Sequence, residues 1–284
     1  ITPFRLTFNV LTDPTAAFDT LRTKNPALYV SLRDQFIPAV EYTYTYDNAS
    51  ARGKRHPIWW QTTVASAGNV TSAIYRLLGH SFAKEGKELF GVPFAQFLKL
   101  NSEFRYHYRI DRNQKIASRI AGGVVWSYGN ATAAPYTEQF YIGGANSVRA
   151  FSVRSIGPGG YPPEETRKYT YINHVGDIRM EANLEYRFRL ISDLHGALFL
   201  DAGNVWLLRP DDNRPGGELT WKKFLQQIAL GTGVGLRYDM DFLVFRLDLG
   251  VGLHNPYRTG KSGYYNIPRF KDSMALHFAI GYPF

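Results

Sequence analysis

The chain has 284 residues, with 33 Lys and Arg against 24 Asp and Glu for a formal charge of +9, and its mean hydropathy is −0.27. The absence of cysteine excludes a disulfide framework, thiolate metal sites and cysteine nucleophiles. No apolar run approaches the roughly 18 residues that a membrane-spanning helix needs, and the positive charge gathers into no basic run or basic helix, so nucleic acid is not an expected partner.

The composition still leaves a membrane barrel open, because alternating lipid-facing and lumen-facing residues give an average hydropathy like that of a soluble protein. The 19 Tyr, 19 Phe and 5 Trp could stock aromatic girdles at two membrane interfaces. No signal peptide is evident and the first residue is Ile1, so the chain reads as a mature or partial product.

Successive side chains of a strand point to opposite faces, so period-two patterning marks strands. Phe4, Leu6, Phe8 and Val10 alternate with Arg5, Thr7 and Asn9. The stretch Thr15 to Gln35 breaks the pattern, and Ala16, Leu21, Leu28 and Leu32 suggest a short helix there. Val40, Tyr42, Tyr44 and Tyr46 then alternate with Glu41, Thr43, Thr45 and Asp47, and a weaker strand fits Ile58 to Ser66. From Leu100 to Ile110 one face carries Phe104, Tyr106 and Tyr108 and the other Glu103, Arg105, His107 and Arg109. After a weaker strand at Ala117 to Tyr128, the stretch Ile178 to Leu190 repeats the device, with Met180, Leu184 and Phe188 against Arg179, Glu181, Glu185 and Arg187. Strands at Ala197 to Trp206, Ile228 to Tyr238 and Leu243 to Val251 follow, and a last one lies within Lys271 to Phe284.

About ten strands result, many as long as the roughly 9 to 11 residues needed to cross a bilayer at a tilt. A soluble sandwich or lipocalin-like barrel would share the alternation, but the connections favour a membrane barrel. Reading back from Phe284 they are long (His254 to Asp272), short (Asp239 to Asp241), long (Leu208 to Lys223), short (Ile191 to Gly196), very long (Gly129 to Gly176) and short (Asp111 to Gln114). Outer-membrane barrels have short periplasmic turns and long extracellular loops, which puts the C-terminus on the periplasmic side. The expected fold is all-β, a transmembrane antiparallel β-barrel spanning residues 1–284.

Within the longest loop the sequence reads FYIGGANSVRAFSVRSIGPGGY, from Phe140 to Tyr161. With Gly143 and Gly144, and with Val148, Arg149, Ala150 and Phe151 as a tetrad, it resembles the loop of the BamA/TamA family that folds back into its own barrel. Ala150 stands where the family usually has glycine, which makes a positive φ less easy there. ANLEYRF (Ala182 to Phe188) resembles the following strand, with Glu185 as its lumenal glutamate. FLDAGNVW resembles the next strand's signature in Phe199, Asp201 and Gly203, and the chain ends in an aromatic, Phe284. Four motifs in family order cover residues 140 to 284, and the loop leans towards the TamA type.

The spacing supports this independently. If Glu185 and Asp201 oppose each other across a hairpin centred at residue 193, two carboxylates repel on the polar face, and Arg149 could bridge them with its planar fork. The alternative pairs Glu185 with Arg187 or Arg237 and leaves Arg149 in a wet loop.

The resemblance implies insertion of nascent β-barrels into the bacterial outer membrane through a seam between first and last strands. It implies no catalysis and no cofactor. Implied partners are outer-membrane lipid and lipopolysaccharide, client barrels, and accessory lipoproteins or a periplasmic or inner-membrane protein. A family barrel of sixteen strands would need about six more than are counted, preceded by POTRA domains. Gly281 and Pro283 should weaken pairing at the seam's periplasmic end, unless Pro283 merely sits beyond the last ladder bond. Rival readings are a two-partner-secretion translocator, which exports a polypeptide, and a passive porin. A barrel hydrolase lacks an activating partner for His107 or His277. The acidic pair Asp211 and Asp212 suits a solvated turn better than a calcium site, because the ligand spacing is missing.

Overall fold

The computed structural model describes the chain except residues 11–28, 30, 49–53, 83–85, 163–169 and 241. The helix expected within Thr15 to Gln35 falls mostly outside the described residues. In chain order the elements are β1 (Thr2–Asn9), β2 (Gln35–Asp47), β3 (Ile58–Ala67), α1 (Asn69–Leu77), β4 (Glu88–Leu89), β5 (Val92–Pro93), β6 (Phe97–Arg109), β7 (Gln114–Ser127), β8 (Ile178–Ile191), β9 (Leu194–Trp206), β10 (Ala229–Asp239), β11 (Val244–His254) and β12 (Met274–Ile280).

Ten strands form one antiparallel sheet in sequence order, and β4 and β5 make a separate small hairpin in the connection between β3 and β6. Sequential antiparallel pairing needs only tight turns on one side, as between β6 and β7, where the amide of Ile110 donates to the carbonyl of Gln114 at 3.0 Å. Among the described residues β1 and β12 each have one neighbour, so the sheet has two free edges and does not close on itself.

The sheet is inverted relative to a soluble protein. Leu276 and Phe278 are each 67% exposed, and Val234, Leu198 and Ile120 are also exposed, whereas Glu185, Asp201 and Arg237 are 0% exposed. A large continuous apolar outer surface is unfavourable in water and matches the hydrocarbon-facing band of a membrane barrel. The sheltered face is ionic, and many of its charges are paired with one another. Glu138, for example, binds Arg5 of β1 at 3.0 Å and Lys99 of β6 at 2.9 Å.

Two details depart from the sequence expectation. The last strand stops at Ile280, four residues before Phe284. Gly281 takes φ +84°, its amide makes a closing hydrogen bond to Val244 at 2.8 Å, and Pro283 and Phe284 turn inward and are buried. Gly281 thus makes the last backbone bond to β11, Pro283 lies beyond it, and Phe284 does not face lipid. The β8–β9 hairpin also has a different register, pairing Glu185 with Phe199 and Asn183 with Asp201. Ser192 sits at φ +42° in the tight turn, and an irregularity between Arg189 and Ile191 shifts the pairing, so the two carboxylates are diagonal neighbours.

Candidate functional site

The connection between β7 and β8 re-enters the sheet's sheltered side. Phe140 and Gly176 exchange two backbone hydrogen bonds of 2.9 Å at its neck. Beyond the neck Ile142, Val148 and Ile156 are buried in one apolar cluster with Phe97, Val125 and Val205 of the strands. Gly143 has φ +97°, and a Cβ there would strike the carbonyl of Ser152, so glycine is required. Gly144 donates to the carbonyl of Phe151 at 2.8 Å, and the Phe151 amide donates to Val148 at 3.1 Å. This turn presents Arg149 to the wall.

Arg149 is fully buried. Its Nε and one terminal nitrogen bond both oxygens of Asp201, at 2.8 and 2.9 Å, and its backbone amide adds a third bond to Asp201 at 3.0 Å. The other terminal nitrogen donates to Glu185. The guanidinium lies over the Phe199 ring, 3.7 Å from its centroid, a cation–π placement. Burial alone would ease loss of its proton, but the hydrogen bonds and charges of Asp201 and Glu185 outweigh that and raise the Arg149 pKa above its ordinary value.

The geometry joins contacts that looked exclusive in the sequence. Glu185 receives Arg149 together with Arg187 at 2.6 Å and Arg237 at 3.1 Å. Arg237 continues to Asp248 at 2.6 Å, and Asp248 lies 3.1 Å from Arg246. The side chain of Asn183 donates to Asp201 at 2.9 Å. Arg246 reaches back to the loop, donating to the carbonyl of Ala145 and the side chain of Asn146. His277 of β12 donates from Nε2 to the Arg149 carbonyl at 2.9 Å. The loop arginine is thereby held from β8, β9 and β12 at once.

Ala150 has no positive φ, so alanine needs no strained backbone there. Its methyl fits because the facing positions are glycine: a Cβ at Gly231 would collide with the Ala150 side chain, and one at Gly250 with the backbone of Arg149 and Ala150. A Cβ at Gly233 would collide with the Phe199 ring that underlies the guanidinium. Gly203 opposes Glu181, where a side chain would meet the carbonyl of Met180. Phe151 packs partly buried against the apolar cluster.

Phe284 reaches the same cluster from the tail. Its ring lies 5.4 Å from the Arg187 guanidinium and 5.9 Å from that of Arg149, and Arg187 donates to its backbone oxygen at 3.2 Å. A Cβ on Gly281 would meet nothing within 4 Å. Asn183, Gly231, Gly250, Asp248, Arg246 and His277 escaped the sequence reading as site residues. The alternating glycines at 231, 233 and 235, and again at 250 and 252, were a visible signal, since glycine on a strand marks close approach of another backbone. Asp211 is engaged by Arg214 at 2.8 Å, and the described residues contain no cluster of His, Asp and Glu arranged to hold a metal ion.

An oily outer face, an ionic inner face and a loop pinned inside define part of a transmembrane β-barrel of the outer-membrane type. The model of the Omp85 superfamily domain matches residues 81–284, and the chain belongs to that superfamily. It is 29% identical over 185 residues to the outer membrane protein assembly factor BamA of Nitratidesulfovibrio vulgaris (strain Hildenborough), an alignment covering 64% of this chain and 20% of that protein. Among solved structures, BamA from Haemophilus ducreyi lacking POTRA domains 1–3 superposes with a TM-score of 0.55 at 14% identity, over 91% of this chain and 47% of that one. CdiB from Escherichia coli superposes with a TM-score of 0.54 at 13% identity, over 87% and 37%. At these identities the two structures are alike in fold alone. The chain spans about a fifth of the curated relative and less than half of either solved chain.

Proposed function

We propose that this barrel segment serves the assembly of outer-membrane proteins, inserting client β-strands through a lateral seam. A strand with unpaired backbone groups cannot rest in hydrocarbon, where each unmet group costs several kcal/mol. An open sheet edge offers a template on which a client can add strands. The observation carrying this reading is Arg149, seated on Asp201 and Glu185 and tied through His277 to β12, an edge strand of the described sheet. Through that contact the loop is coupled to the strand that would move.

In this reading the short turns, and with them the C-terminus, face the periplasm. The chain performs no covalent chemistry. Its partners are client barrels, outer-membrane lipid and lipopolysaccharide, and accessory proteins. A two-partner-secretion translocator would use the same fold to export a polypeptide. The test uses the full-length protein in vesicles with an unfolded client barrel. Arg149→Ala should slow the client's acquisition of its heat-modifiable folded form by tenfold or more, while unchanged assembly would overturn the proposal. Steady ion conductance unaffected by the loop would favour a porin.

A further inference from the structure

At the end of the sheet carrying the short turns lies a cavity of about 760 Å³ whose lining is strongly cationic. Lys54, Arg109 and Arg112 stand exposed on its rim, and Arg55 lies beside them with its guanidinium on the hydroxyl and ring of Tyr108. Lys115, Arg187 and Arg237 line it more deeply, the last two buried. Arg187 and Arg237 are already paired with Glu185 and Asp248, so five further basic side chains, Lys54, Arg55, Arg109, Arg112 and Lys115, face the two acidic ones of the lining, Asp111 and Asp239. Asp239 accepts from the Tyr282 hydroxyl at 3.2 Å, and Asp111 caps its own turn through the amide of Asn113. These two carboxylates are outnumbered by the basic groups around them.

A second observation points the same way. Arg237 lines this cavity, and its Nε is buried with no hydrogen-bond partner among the described residues. A buried donor without an acceptor is costly, and an entering carboxylate would supply one.

We infer that this cavity is a receiving site for an acidic polypeptide segment entering from the short-turn side. The basic groups sit on the turns after β2 and β6 and on the inward faces of β7, β8 and β10. Dispersed charges match carboxylates spaced along an extended chain better than one compact phosphate. A lipid headgroup fits poorly, because the cavity opens on the ionic face and the lipid-facing surface is the opposite one. The basic funnel raises the local concentration of acidic segments and speeds their encounter. That this end faces the periplasm rests on the function proposed above; the binding itself does not.

The full-length protein, refolded in detergent micelles, is titrated into a fluorescein-labelled decapeptide of alternating Glu and Ser, with Lys/Ser and Gln/Ser decapeptides as controls, and anisotropy is read at about 50 and 300 mM salt. The acidic peptide alone should bind, weakening steeply as salt shortens the Debye length. Lys54→Glu/Arg109→Glu/Arg112→Glu reverses three rim charges and should weaken binding by about tenfold or more; the triple Gln variant should weaken it less. Heat-modifiable migration on gels confirms folding, and the Gln variant serves if the Glu variant misfolds. Equal binding of all three peptides, an unchanged triple variant, or displacement by equimolar inorganic phosphate would each overturn the inference. Acidic-peptide binding in a protein unable to assemble clients would instead strike the proposed function alone.

Discussion

Truncation of Arg149 to alanine removes three side-chain hydrogen bonds from a fully buried cluster, two to Asp201 and one to Glu185. The loss falls unequally. Glu185 keeps Arg187 and Arg237, whereas Asp201 is left with Asn183 and the loop's own backbone amide. Breaking a buried pair typically costs about 3–5 kcal/mol, and the surviving partners place this case near the lower bound. At about 1.4 kcal/mol per factor of ten, the docked loop should become roughly a hundredfold less favoured against its released form. Hydrogen exchange in lipid nanodiscs reads this directly through the amides of Val148 to Phe151. A variant whose amides stay protected within about twofold of the parent would refute the reasoning, because it would mean that the apolar packing of Ile142 and Val148 alone seats the loop.

Arg149→Lys keeps the charge but loses the fork, so loop exchange should fall between parent and alanine variant. In a double-mutant cycle scored by the same exchange, Arg149 should couple more strongly to Asp201→Ala than to Glu185→Ala, and equal couplings would contradict the uneven partner sets. Gly250→Val should expel the loop as effectively as Arg149→Ala, through collision with the backbone at Ala150, whereas Ala150→Gly should leave protection near parental; limited proteolysis at Arg154 distinguishes them. Val234→Arg, on the exposed face of β10, should cost about 2–4 kcal/mol if that residue lies near the bilayer midplane, measured by urea unfolding from vesicles with tryptophan fluorescence. A negligible change would show that this face meets water.

Much of the strand framework was legible because inversion of the burial pattern leaves the period intact. The alternation of Ile178 to Leu190 reads the same whether its charged face meets solvent or a lumen, and β8 occupies that stretch. What turns the pattern inside out is the connection lengths, which the strands themselves do not encode. The hairpin register escaped because the turn is centred between Ser192 and Asp193 rather than on Asp193, and one irregularity beside it moves every further pair by one residue more, neither of which sequence spacing can count. Arg149, Glu185 and Asp201 were nameable from motif and charge. The glycines that admit the loop were present as a period-two series but have no chemistry of their own until another backbone lies against them. The inward tail was hidden because a terminal aromatic fits a lipid-facing strand and a lumenal plug equally well. What separates the two is Gly281 at φ +84°.

The sharpest test of the buried loop uses the chain's lack of cysteine. Ala150→Cys introduces a single thiol at a position 5% exposed, facing Gly231. In folded protein reconstituted into vesicles, this thiol should resist a charged, water-soluble maleimide, and adding Arg149→Ala should open it to labelling through the barrel lumen. Rapid modification with Arg149 in place would contradict the seating of the loop inside the barrel.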